Sequence, residues 1–549
     1  VVSRNVVIVL FTIRVRPAQR PMAAVRGDRH LDRRRMGHFF LLTRTGRTMK
    51  SRSSGSLIGT LTVKLSVCAT FAALLSSCAN YVGIGSDKSI AEPQRFETAR
   101  SLPAEQGRWP AAEWADQFGD AQLPTLIAEA LQGSPTVEQA RARVREAQAY
   151  SETARASTLP RVDANYSLTR QQYSSTALVP PPLAGSWQTE NRGLVTASYD
   201  LDLWGKNREA LRAAVSQAQA SKADEEFVKL TLTTAIARAY NQLARLYALR
   251  DIAQQEVTRR ERIDRITAGR IATGLDTEVE RKTAQANLAT SRSSVSALDG
   301  DILTSRYQLA ALIGAGPDRG LSIERPTLAI GDQVRLPDNL PADLVSRRPD
   351  IVAARWRVDA AMHDVKEAKT EFYPDINLSA AIGLDAFGFG HFLSAASRTA
   401  SVGPAIHLPI FDAGALRAQL KGRYAEFDYE VAAYNQTLVS ALADVATQLG
   451  QMRSSDAQLI DARAAQQAAQ SADQLAITQY KAGLANQLTV LNADVTALQA
   501  DEAVANLETN RRDQQIALAS ALGGGYVDTS AQATRRTDAV VPTSAVAPR

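Results

Sequence analysis

The sequence predicts an α+β membrane protein in which four membrane-length strands per chain run into long helical hairpins. Three observations predict it. Two spans without proline, 183–316 and 410–541, are 134 and 132 residues long. The chain repeats itself at a period of about 210 residues. Each copy carries two alternating apolar–polar runs of about ten residues, the length of a tilted β-strand that crosses a bilayer.

The amino-terminal residues come first. Residues 1–48 hold 11 Arg against Asp28 and Asp32, and are expected to be an upstream extension read from too early a start. From Met49, Lys50, Arg52 and Lys64 precede an apolar run from Leu65 to Leu75, too short to span a bilayer and suited to a secretory signal at 49–77. The run ends in Leu75-Ser76-Ser77-Cys78, which resembles a bacterial lipobox, so Cys78 is the expected acceptor of a covalent lipid. A free cysteine can otherwise be a small buried apolar residue. Ala79 rather than Asp follows the cysteine, which in lipoproteins of this kind favours export to the outer membrane.

The net charge of +6 belongs to the segment before Cys78. Without that segment 49 basic and 55 acidic residues remain, a balance of −6, which excludes a nucleic-acid partner read from basicity. No uninterrupted apolar run reaches the roughly 18 residues of a transmembrane helix, which excludes a polytopic helical protein.

After a linker at 78–107, the first repeat is expected at 108–320 and the second at 321–526. Gly133-Ser134-Pro135 running to Leu159-Pro160 recurs as Arg347-Arg348-Pro349 running to Tyr373-Pro374, 214 residues on. Leu201-Asp202-Leu203-Trp204 answers Leu408-Pro409-Ile410-Phe411 at an offset of 207, and Gly274-Leu275 answers Gly483-Leu484 at 209. Such spacing is a duplicated domain rather than a solenoid.

Proline in a helix interior costs about 3 kcal/mol, so its absence permits very long helices. Residues 206–268 also lack glycine, and Leu232, Ile236, Ala239, Leu243 and Tyr247 form a coiled-coil-like stripe. At 1.5 Å per residue that helix spans roughly 95 Å, the dimension of a tube rather than a compact domain. Helices are expected at about 121–157, 206–268 and 277–313 in the first repeat, and at 350–372, 415–482 and 487–522 in the second. Hairpins at about 161–204 and 375–411 supply the strands, and 527–549 reads as a disordered tail. Four strands cannot close a barrel and lipid tolerates no bare edges, so closure needs several chains; three would give 12 strands.

These features together resemble the outer membrane factor family of TolC-like channel-tunnels, and within it the NodT-like lipoproteins of resistance-nodulation-division efflux systems. The resemblance covers about residues 108–526. Trp114, Phe118, Asp120, Leu123, Leu126-Ile127 and Glu129-Ala130-Leu131 follow the family's opening pattern. Tyr199 to Gly205 and Leu408 to Gly414 follow its strand-end patterns. The resemblance implies a homotrimer: a 12-stranded transmembrane β-barrel continuous with a long periplasmic α-helical coiled-coil barrel. It implies an exit duct for drugs or other small molecules, a periplasmic adaptor protein, an inner-membrane pump of the resistance-nodulation-division type, and no enzymatic step. The alternatives are the exit duct of a type I protein secretion system and a non-conducting, lipid-anchored periplasmic coiled-coil scaffold.

By the same resemblance the adaptor docks on the helix turns, here Thr273, Gly274, Leu275 and Ala482, Gly483, Leu484. Gly274 and Gly483 also fit simple left-handed C-caps. The family's ring of pore carboxylates falls on Thr489 and Asn492, neither acidic, with Asp494 the nearest carboxylate; a constriction around Asn492 would close by hydrogen bonding. Arg259-Arg260-Glu261-Arg262 reads as a solvated face. Phe387, Phe389 and Phe392 fit either an interfacial girdle or loop packing. His363, His391 and His407 have no ligand-spaced partner, and no paired carboxylate, such as Glu278 with Glu280, sits in a recognisable pocket, so no metal, cofactor or catalytic group is expected beyond the lipid on Cys78.

Overall fold

The computed structural model describes residues 81–176, 179–330, 335–338 and 340–528; Cys78, the signal segment and the tail from 529 lie outside the described residues. The first repeat runs α1 (Gln122–Gly133), α2 (Pro135–Ala156), β1 (Arg161–Gln172), β2 (Trp187–Asp200), α3 (Lys206–Ala272), α4 (Glu278–Ile313) and a short α5 (Pro317–Leu321). The second runs α6 (Leu340–Arg347), α7 (Pro349–Thr370), β3 (Asp375–Phe387), β4 (Arg398–His407), α8 (Ala415–Lys481) and α9 (Gln487–Ala521).

The single helix expected at 121–157 is two. Pro135 forces Ser134 into an extended backbone (φ −69°, ψ 127°), and the Ser134 hydroxyl then caps α2 by accepting from the Thr136 N–H at 3.3 Å. The second repeat breaks in the same way at Arg348-Pro349. Its leading helix α6 went unread in the sequence, being eight residues long with Leu340 and Leu344 as its buried face.

Helices α3 and α8 are 67 residues each, about 100 Å at 1.5 Å per residue. Each folds back on its partner, α3 on α4 and α8 on α9, while α3 also packs against α7 and α9. The stripe anticipated on α3 lies inside, with Ile236 and Leu243 buried beside Tyr240 in a core that includes Phe118, Leu126, Leu309 and Ile313. A second core gathers Leu344, Ile351, Leu438, Val445 and Leu518. Between the repeats, α3 meets α7 through Ser216 Oγ to Asp359 Oδ2 (2.5 Å), Glu209 Oε2 to His363 Nδ1 (2.6 Å) and Asp224 Oδ2 to Arg357 Nη2 (2.5 Å).

Asp120 fixes the start of the first repeat to the connection between repeats. Its carboxylate accepts from Tyr240 Oη (2.9 Å), the Thr327 N–H (2.7 Å) and the Gln122 N–H (2.8 Å). Burial opposes ionisation, yet these hydrogen bonds hold the carboxyl below the usual Asp range.

The four strands form one antiparallel sheet in the order β1-β2-β3-β4, and β1 and β4 are its edges. Pairing corrects the repeat offset. Arg161 pairs with Ser198, and Asp375 pairs with His407. Arg161 and Asp375 each follow the matched prolines, so Ser198 corresponds to His407, an offset of 209 rather than 207. Ile410-Phe411 therefore answers Leu201-Asp202, and Trp204 has Ala413 as its counterpart.

Candidate functional site

Three regions of the structure bear on function: the sheet, the hairpin tips, and the chain that leads toward Cys78.

The sheet has two unlike faces, because side chains alternate along each strand and directly paired residues share a face. Val162 faces with Ala197, Ala164 with Val195, Val195 with Ile382 and Ala380 with Val402. Tyr166, Leu168, Leu378 and Ile406 fall on the same side, and these large apolar side chains are exposed. The opposite face carries Asp163, Asn165, Ser167, Thr196, Ser379 and Ser401, with an Arg192–Asp385 ion pair at 3.5 Å. Polar residues on the apolar side, Arg170, Gln172, Thr189 and Arg398, lie toward the loop end, and Asn191 there is buried and satisfied by Tyr166 Oη (3.1 Å) and the Gly388 carbonyl (2.9 Å). Of the three phenylalanines, Phe387 meets Tyr173 edge-on at 5.9 Å and Phe392 meets Tyr166 edge-on at 6.0 Å, while Phe389 is exposed.

At the other end, each hairpin turns on a left-handed glycine, Gly274 at φ 73° and Gly483 at φ 78°. The Leu275 N–H reaches back to the Arg270 carbonyl and the Leu484 N–H to that of Gln479, both at 2.9 Å, the Schellman pattern. Thr277 and Asn486 cap the returning helices: Thr277 Oγ1 accepts from the Val279 N–H (3.2 Å) and Asn486 Oδ1 from the Thr489 N–H (3.0 Å). The turns thus leave Leu275 and Leu484 exposed, with Val279 and Leu488 one helical turn further on. Thr273 and Ala482 are exposed beside them.

A polar network ties one tip to the other. Arg270 grips Asp276 with two nitrogens (2.8 and 3.1 Å), donates to the Tyr480 carbonyl (2.7 Å) and stacks its guanidinium 4.4 Å from the Tyr480 ring centre. Tyr480 Oη donates to Asp276 Oδ2 at 2.5 Å and lies 3.0 Å from Thr267 Oγ1. Burial, then the hydrogen bond to Asp276, pushes the Tyr480 hydroxyl up to about 12. Sequence reasoning missed this network because its members lie in different repeats.

The residues expected at the constriction separate. Thr489 and Asn492 are exposed on α9, whereas Asp494 is fully buried. Two residues along a helix is a rotation of about 200°, so Asp494 points away from Asn492 into the hairpin pair. There it meets Arg259 Nε (3.1 Å) and Arg260 Nη2 (2.6 Å). This also corrects the reading of Arg259-Arg260 as a solvated face, since Arg260 is buried and Arg259 half-buried; Arg262 does face solvent.

The third region is an extended strap from Tyr81. Tyr81 lies edge-on to Phe372 at 5.5 Å and its hydroxyl is 3.2 Å from that of Tyr373, directly before β3. The strap then follows α8: Ser86 bonds Asp428, Asn435 Oδ1 accepts from the Ala91 N–H (2.7 Å), and Glu105 pairs with Arg453. Among the described residues no cluster of side chains fits a metal ion, and no helix is long and apolar enough to cross a membrane.

A duplicated subunit with an amphipathic, open-edged sheet above long helical hairpins is the class of an outer-membrane channel protomer. A family profile described as outer membrane efflux protein matches residues 126–315 and 340–524, and the chain belongs to this family. It is 31% identical over 471 residues to the multidrug resistance outer membrane protein MdtP of Shigella flexneri, covering 82% of this chain and 94% of that one. It is 41% identical over 317 residues to the fusaric acid resistance protein FusA of Burkholderia cepacia, a match spanning 57% of this chain and 59% of that relative. The crystal structure of the outer membrane protein VceC from Vibrio cholerae superposes with a TM-score of 0.71 at 36% identity, over 76% of this chain and all of that one. The chain is thus an outer-membrane efflux protein, with its sheet at the membrane and its helices in the periplasm.

Proposed function

We propose that three copies of this chain form the exit duct of a tripartite efflux pump, closing a 12-stranded barrel in the outer membrane. The observation that carries the reading is the four-stranded sheet, apolar on one face and polar on the other, with both edges unpaired. An apolar outer face suits lipid, a polar inner face suits a water-filled lumen, and bare edges require further copies.

The exposed tips, Thr273-Gly274-Leu275 and Ala482-Gly483-Leu484, dock a periplasmic adaptor that couples the duct to a resistance-nodulation-division pump. Energy is spent in that pump, so the duct performs no covalent chemistry. Thr489 and Asn492 narrow the lumen beside the second tip. Cys78 carries lipid, and the described chain that follows it begins at Tyr81, packed at the foot of the sheet. Small organic molecules are the cargo, in keeping with the drug and fusaric acid resistance named for the relatives.

The test is single-channel conductance in planar bilayers of protein expressed from Met49, with its native mass in detergent. Discrete steps from a trimer are expected. A monomer that never conducts would overturn the duct.

A further inference from the structure

About 16 Å above the second tip, at 1.5 Å per residue from Gly483 to Asp494, the hairpins meet through charge rather than hydrocarbon. Glu256, Arg259 and Arg260 come from α3, Asp473 from α8, and Asp494 and Asp501 from α9. Every one of these except Arg259 is more than nine-tenths buried.

Glu256 and Asp494 share the same two guanidiniums. Arg260 reaches Glu256 Oε1 at 2.5 Å and Asp494 Oδ2 at 2.6 Å; Arg259 reaches Glu256 Oε2 at 3.0 Å and Asp494 Oδ1 at 3.1 Å. Asp501 adds a looser contact to Arg259 at 3.8 Å and accepts from Gln466 and Gln470 of α8. Asp473 faces the same arginines and Glu256, with Arg262 beyond them at the surface. Four carboxylates therefore face one buried and one half-buried arginine. A seam with that excess negative charge cannot stay fully ionised out of water without a large penalty.

We propose that Asp494, set against Glu256 on the same two guanidiniums, carries a proton when the hairpins are packed, so that acid tightens the periplasmic end of the molecule and neutral pH loosens it. Burial, then the hydrogen bond and charge of Glu256, push the Asp494 carboxyl up to about 7, and burial raises Asp473 as well. The sign follows from linkage. An Asp carboxyl that titrates near 3.8 when released and near 7 when packed takes up a proton on packing between those values. Packing then weakens about tenfold per pH unit through that window and levels off above it. The tip network titrates outside this range, because Asp276 is held below the usual carboxylate range. The proton itself stands on the seam's geometry; its consequence for transport rests on the duct reading.

The experiment is hydrogen exchange of the trimer between pH 5 and 8, corrected for intrinsic rates, on peptides from 250–272 and 487–501. Wild type should open about fiftyfold more readily at pH 7 than at pH 5 and change little above 7. Asp494→Asn should hold wild-type acid protection at every pH, and Glu256→Gln should flatten the response independently should that variant misfold. A pH-independent wild type, or an unchanged pH response in both folded variants, overturns the proposal. Conductance without the pH response sinks the Asp494 proton alone; the pH response without conductance sinks the duct alone.

Discussion

Gly205 and Gly414 occupy the same place in the two repeats: each holds a left-handed backbone, at φ 87° and 89°, and each starts a helix of 67 residues. Both the strand pairing and these caps give the 209-residue relation, so the repeats are geometrically equivalent from the second strand onward.

That equivalence predicts how the barrel closes. Within the chain Ala197 pairs with Ala380 across the β2–β3 seam. Carried through the duplication, Ala197 becomes Ile406 and Ala380 becomes Tyr166 of the next copy, both apolar-face residues now exposed. Ile406→Cys with Tyr166→Cys should therefore cross-link trimers on oxidation, whereas Ile406→Cys with Leu168→Cys should not. The reverse pattern in non-reducing gels would shift the register by two residues.

Removing the Asp276 carboxylate should free the tips. Asp276→Ala leaves Arg270 and the Tyr480 hydroxyl without their shared acceptor, at about 1–3 kcal/mol for each buried group left unmet. Larger single-channel conductance and faster exchange across 267–280 are expected, with Tyr480→Phe giving the same change at smaller size. The carboxyl is opposed by burial but held low by Arg270 and Tyr480, so its contribution is present above about pH 4 and fades only as pH falls through its depressed value.

Asp120→Ala should lower the thermal midpoint without abolishing trimers. Tyr240 Oη and the Thr327 N–H lose their acceptor in a buried site, about 1–3 kcal/mol apiece. Differential scanning calorimetry checks this, and wild-type midpoints should fall below about pH 4 as the depressed Asp120 carboxyl protonates.

The tips and the constriction should respond separately. Leu484→Asp places a charge on an exposed apolar turn and should weaken adaptor capture at least tenfold while conductance persists. Asn492→Asp would set three carboxylates around the axis and should raise cation selectivity in reversal-potential measurements, whereas Asn492→Ala should widen the passage.

Long elements were legible because their signals are local: absent proline over a whole helical hairpin, alternation along each strand, glycine at each turn. The break at Ser134 was written in Pro135 but outweighed by the helical composition on either side. Asp494 was misread because nearness in sequence to Asn492 says nothing about which way a helix turns it. Arg259 and Arg260 looked like surface charge because Asp494, which they share with Glu256, lies in the other repeat, over 230 residues away. Tyr480 with Asp276 was hidden for the same reason.

The two sheet edges are different surfaces, so each joint between copies must use one β4 and one β1. Such head-to-tail contacts carry no built-in stop: they end in a ring if the curvature brings the last edge to the first, and otherwise grow as an open ladder. A flat sheet of membrane-length strands would be an aggregation template. Within the chain, the packing of α3 against α7 fixes the angle from one repeat to the next; on the duct reading, the same packing repeated between copies would decide how many fit the circle.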